Sequence, residues 1–209
     1  MASMDLVQRW VALAGAETRR LGEDLVARYG EEHRRYHNRE HLTAVLDLVD
    51  ELADHAADAD AVRLGAWFHD AVYDPERSDN EELSARLAER MLTDTDLPPE
   101  TIAEVARLVR LTITHAPEPQ DSNGQVLCDA DLAILAASPT DYAAYASAVR
   151  EEYAFVPEEF FTMGRADVLT SLLALPVLFH TPAARERFEL TARHNLETEL
   201  TLLRAQSPP

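Results

Sequence analysis

Apolar residues in this chain recur at intervals of three and four, as at Val45, Leu48, Val49 and Leu52. No run sustains alternation at every second position. The first interval marks one face of an α-helix, whereas a half-buried strand needs period two. Ala, Leu, Glu and Arg dominate, and only six of the 209 residues are glycine. These are strong helix formers. The pattern predicts an all-α fold with helices near 4–29, 39–55, 59–73, 79–93, 99–115, 129–137, 140–155, 158–174 and 182–205. Asn38 is placed to cap the helix that starts at Arg39, and Ser78 or Asp79 the one that starts near 79. Pro98-Pro99, Pro139, Pro157 and Pro182 each sit where a helix begins.

The long irregular stretch is 116–124, where Asn123-Gly124 carries turn chemistry. Composition does not shift along the chain, so 1–209 is expected to form a single helical domain, with Met1-Ala2-Ser3 and Ser207-Pro208-Pro209 frayed. Lys plus Arg number 19 against 38 Asp plus Glu, a net charge of −19. That argues against duplex nucleic acid and anionic membranes as partners, since both need clustered positive charge. A small anionic ligand remains compatible, because a bound cation reverses the local field. Cys128 is the sole cysteine, so no intrachain disulfide forms and a reducing cytoplasm is expected. It lies in the run Val126-Leu127-Cys128 and reads as a small core residue. No signal peptide or membrane span is legible.

Three short segments carry the chemistry. The apolar stretch Val62–Phe68, broken only by Arg63, runs directly into His69-Asp70. A buried carboxylate beside an imidazole needs compensation. Either a metal ion or a His–Asp hydrogen bond at a helix end supplies it. His41 falls in phase with Val45, Leu48 and Leu52, so it points inward, as a ligand or as a satisfied core histidine. His37 precedes the Asn38 cap and belongs at the rim. In Asp129-Ala130-Asp131, Asp129 reads as an N-cap, which leaves Asp131 a step inside a helix beside Leu132 and Leu135. His33, His55, His180 and His194 read as surface or structural, and Trp10 and Trp67 as core aromatics.

Taken in order, His41, His69-Asp70 and Asp131 resemble the HD superfamily of metal-dependent phosphohydrolases. Tyr36-His37-Asn38, Phe68-His69-Asp70-Ala71-Val72-Tyr73, Asn80-Glu81 with Ser84, and Asp129-Ala130-Asp131-Leu132 are similar to a bacterial subgroup of predicted members. Val149-Arg150-Glu151-Glu152-Tyr153, Gly164-Arg165 and Ala192-Arg193-His194-Asn195-Leu196 extend that likeness toward the C-terminus. The resemblance implies an HD-domain-like helical bundle over about 36–137, with additional C-terminal helices at 140–205 packed on it. It implies that His41, His69, Asp70 and Asp131 hold one divalent ion, of Mn, Fe, Co, Ni, Zn or Mg. The substrate it implies is a small phosphorylated molecule, nucleotides included.

Several relatives place an acid three positions beyond the signature aspartate, where this chain has Tyr73. Asp74 is therefore the first candidate to orient or deprotonate water, or else a turn residue before Pro75, and Glu81 is the second. His115 is assigned to the leaving group or phosphate, with a plain helix-end histidine as the alternative. Substrate contacts are expected from His37, Asn80 and Arg165. Arg39, Arg77 and Arg150 are further cations for a phosphate, each with a surface ion pair as its ordinary role. A competing expectation is a metal-stabilised helical module that binds a nucleotide or protein without turnover. A third, a pair of irons using oxygen, needs more ligands than this chain offers. Oligomeric state stays open, with a homodimer as one option.

Overall fold

The computed structural model describes residues 5–206, so the two ends expected to fray lie outside it. Among the described residues there are ten α-helices and no strand. They fall into two compact units that meet within one helix, between Ala130 and Asp131.

The first unit contains α1 (Leu6–Ala14), α2 (Arg19–Arg28), α3 (Arg39–Glu51), α4 (Ala59–Phe68), α5 (Asn80–Thr93), α6 (Pro99–Leu111) and most of α7 (Ser122–Leu132). Helix α4 is buried along nearly its whole length. It packs against α3 and α6, and α6 packs against α5. Gly65 permits the close approach of α6, since a Cβ there would stand 3.3 Å from the Leu108 Cβ. Trp67 and Phe68, at the end of α4, meet the edge of Trp10 from α1 at 5.4 and 6.1 Å between ring centroids. The Trp10 indole donates to the Thr18 carbonyl at 3.0 Å, closing α1 onto α2. A fully buried indole that finds its acceptor adds direction to what burial alone supplies.

Four boundaries correct the sequence reading. The helix expected over 4–29 is broken at Gly15, whose φ of 93° lies outside the helical region. Helix α3 ends at Glu51, and Ala53–His55 is a separate 3₁₀ turn. Helix α4 stops at Phe68 rather than 73, which leaves His69 and Asp70 at its C-terminal edge. Helix α7 starts at Ser122, inside the stretch expected to be loop. The Asp121 carboxylate accepts from the Gly124 amide at 2.9 Å and is itself held by Arg107 at 2.7 Å. Asn123-Gly124 thus lies in a capped first turn. Asp129, expected as an N-cap, is a fully buried mid-helix residue.

The second unit begins with the end of α7 and the 3₁₀ turn Ala133–Ala136, followed by α8 (Pro139–Glu152), α9 (Glu158–Ala174) and α10 (Pro182–Gln206). Proline at the first position opens α8 and α10, and Pro157 immediately precedes α9. Helix α10 packs on α9 and on the 3₁₀ turn. Its Asn195 amide donates to the Leu135 and Ala137 carbonyls at 2.8 and 3.0 Å. No described helix is long and apolar enough to cross a membrane.

Candidate metal centre

His41 is set by the cap of its own helix. The Asn38 carboxamide oxygen accepts from the Glu40 and His41 amides at 2.8 and 3.3 Å, so α3 begins with His41 in its first turn. The apolar stripe that follows turns that position inward, and His41 is only 6% exposed. His69 follows the last turn of α4 and is 1% exposed. Its Nδ1 lies 2.8 Å from the Ala66 carbonyl. A carbonyl only accepts, so Nδ1 carries the proton and Nε2 presents a lone pair. A ligating histidine is fixed in this same way by a backbone partner on its other nitrogen.

That Nε2 faces three other donor groups. It lies 3.0 Å from the His41 Nε2 and 3.1 Å from the Asp70 Oδ2, and the same carboxylate oxygen is 3.5 Å from the His41 Nε2. Asp131, half-buried in the last turn of α7, completes the group. One donor atom from each of His41, His69 and Asp131 lies within 4.8 Å of the other two. Burial would raise the Asp70 carboxyl. When their rings carry a second proton, the charge of His69 and His37 and the hydrogen bonds that His41 and His69 then donate outweigh it and hold the carboxyl well below the usual carboxylate range.

The donor set fits a divalent ion. Two imidazoles and two carboxylates suit the borderline first-row metals. Neighbouring ligands around an octahedral ion with bonds of about 2.1 Å stand roughly 3 Å apart, and the His41, His69 and Asp70 atoms are spaced at 3.0 to 3.5 Å.

The remaining sequence candidates are distributed less evenly. His37 is half-buried, stacks on Tyr73 at 4.3 Å and lies 5.9 Å from the His41 ring. Tyr73 is buried; the His33 Nε2 is 2.8 Å from its carbonyl, and the Arg34 guanidinium is 5.4 Å from its ring. Asp74 is exposed, and its carboxylate accepts from the Glu76 amide at 3.0 Å. Asn80 bonds the Asp74 backbone twice, at 3.1 and 2.8 Å, so these two residues shape one turn. Glu81 is half-buried in the first turn of α5. Helix α6 stops at Leu111 rather than 115, and His115 lies in the turn beyond it with a left-handed φ of 49°.

The arginines have protein partners. Arg165, in the second unit, makes a two-pronged pair with Glu199 at 2.8 and 3.0 Å and donates to the Tyr145 hydroxyl. Arg39 donates to the Val26 carbonyl, Arg77 to Asp79, and Arg150 to Glu158 and the Tyr153 carbonyl.

One residue close to the centre escapes the sequence reading. Arg34 sits in the polar run Glu31-Glu32-His33-Arg34-Arg35, where nothing in period or composition separates it from a surface arginine, yet it is 5% exposed.

Compared with protein-family models, the chain matches the HD domain over residues 38–133. Neither a curated protein nor a solved structure matches it.

Proposed function

From the match of residues 38–133 to the HD domain and the resemblance to metal-dependent phosphohydrolases, we propose that this chain hydrolyses a phosphomonoester or phosphoanhydride of a small molecule, a nucleotide being the first to try. One observation carries the proposal. A buried His41–His69 pair, with the His69 Nε2 lone pair fixed by the Ala66 carbonyl, faces two carboxylates. Burying those charges together is costly unless a cation joins them. His41, His69, Asp70 and Asp131 are the residues that would hold it.

A divalent ion bound there supplies Lewis acidity, lowering the pKa of a water and polarising a phosphoryl oxygen. The other tasks fall to the chain itself. We assign His37 to a phosphate oxygen, since it stands beside His41 and its ring already acts on the Asp70 carboxyl. Asp74, or Glu81 in the first turn of α5, is assigned to orient water. Asn80 is assigned to hold the Asp74 turn, where both of its amide atoms are bonded.

A second reading has its own support. Tyr73 stands where related enzymes place an acid, and it is buried. A module that binds a phosphorylated ligand without turnover would show that feature. Phosphate release from a panel of phosphoesters and nucleotides with Mn²⁺, Co²⁺, Ni²⁺ and Mg²⁺ separates the two. The hydrolase reading expects turnover with at least one metal and its loss in Asp70→Ala. Ligand binding without turnover under every metal would leave the binding module.

A further inference from the structure

We infer that Arg34 is a positioning residue for this centre, a buried clasp that sets the spacing between the segment entering α3 and the turn after α4. The inference rests on the metal-dependent reading above.

The Arg34 Nη1 donates to two main-chain carbonyls, His37 at 2.9 Å and Asp70 at 2.8 Å, and Nη2 reaches the Ala71 carbonyl at 3.4 Å. His37 immediately precedes the Asn38 cap that sets His41, and Asp70-Ala71 is the turn that carries the signature pair. One guanidinium therefore ties together the two backbone segments whose side chains meet at 3.0 to 3.5 Å.

Burying an arginine is costly unless its charge and donors are satisfied. Here the Glu31 carboxylate accepts from Nε at 3.0 Å, and the Tyr29 and Tyr73 rings lie 5.2 and 5.4 Å from the guanidinium carbon. Ring faces attract a cation at that range. The Tyr29 hydroxyl adds a longer bond to the same turn, accepting from the Asp70 amide at 3.3 Å. Lysine cannot copy the clasp. Its ammonium is a point charge, whereas the planar guanidinium aims donors at diverging oxygens.

Outer partners of metal ligands typically change affinity by about 10–100-fold when removed. The test is a Co²⁺ titration of the full chain, followed by visible absorption, with circular dichroism on the same samples. Arg34→Lys and Arg34→Gln are expected to keep the helical spectrum, bind Co²⁺ about 10–100-fold more weakly and shift the absorption bands. Methylguanidinium is expected to restore affinity in Arg34→Ala. Wild-type affinity and bands in the folded variants would overturn the inference. Loss of the helical spectrum together with affinity would also overturn it, showing that Arg34 serves the fold at large. Failure of the wild-type chain itself to bind Co²⁺ or Mn²⁺ would bring down the metal reading, and the Arg34 role with it.

Discussion

His41 and His69 meet through their Nε2 atoms at 3.0 Å, although α3 and α4 each deliver only one of the two rings. With the His69 proton held on Nδ1 by the Ala66 carbonyl, the contact requires His41 to donate or a cation to take both lone pairs. The second arrangement leaves neither imidazole restricted to a weak N–H···N bond, and it brings the Asp70 carboxylate into the same set.

Metal should therefore stabilise the fold. At about a hundred times its Kd, Mn²⁺ or Co²⁺ is expected to add ~2.7 kcal/mol. Calorimetry should show a rise of several degrees in Tm, reversed by EDTA. Asp70→Asn and His41→Ala should show little or no rise. Equal metal-induced shifts in wild type and variants would mean that binding occurs elsewhere.

Removing the cap that sets His41 should be measurable without any metal. Asn38→Ala leaves the Glu40 and His41 amides without their acceptor. The expected loss is ~1 kcal/mol, a fall in Tm of about 2–4 °C for a domain of this size. Asn38→Asp, which also caps, should lose much less. Identical melting curves for all three proteins would count against this role.

A third prediction concerns acid. Glu82 on α5 accepts from Arg110 on α6 at 2.7 Å, and hydrogen bonds from Arg110 and then Arg86 hold its carboxyl down at about 2 instead of 4.5. The folded value lies below the unfolded one. The ionised pair therefore contributes in full above pH 4.5, and its contribution is lost as pH falls through about 2. Carbon-detected NMR titration should place the Glu82 midpoint near 2. A midpoint at 4.5 would show that this clasp between α5 and α6 is not formed in solution.

The fourth separates a structural from a functional Arg165. The Arg165 and Glu199 side chains are largely shielded, 9% and 13% exposed, and the Tyr142 hydroxyl donates to the same carboxylate. Removing one partner of such a pair costs ~3–5 kcal/mol, whereas replacing both by apolar residues is often neutral. Urea unfolding should show that loss for Glu199→Ala and recovery of most of it in the Arg165→Met/Glu199→Leu double variant. If the double variant is as stable as wild type yet loses activity, Arg165 has a task beyond the pair.

The helical class, the proline starts and the inward phase of His41 were legible because each depends on residues a few positions apart. Asp129 misled the reading for the opposite reason. Its capping type suggested a helix start, but the start was already made by Asp121, whose carboxylate is held by Arg107 from another helix. Local turn signals at Asn123-Gly124 lost to that tertiary contact. Gly15 could have been read as a break, since a lone glycine between apolar runs is a weak stop signal. Arg34 could not. Its burial depends on carbonyls contributed by positions near 70, and a polar run gives no hint of them.

The order in which the chain supplies these donors has a consequence during synthesis. His41 leaves the ribosome first, His69-Asp70 next, and Asp131 only after α5, α6 and most of α7 have emerged. No contiguous fragment shorter than 41–131 contains all four. A nascent or clipped chain thus offers scattered single donors, which compete poorly for scarce ions. For a chain that holds an ion at these four residues, capture would be deferred until the helices have found one another, and acquiring the ion would report that folding has succeeded.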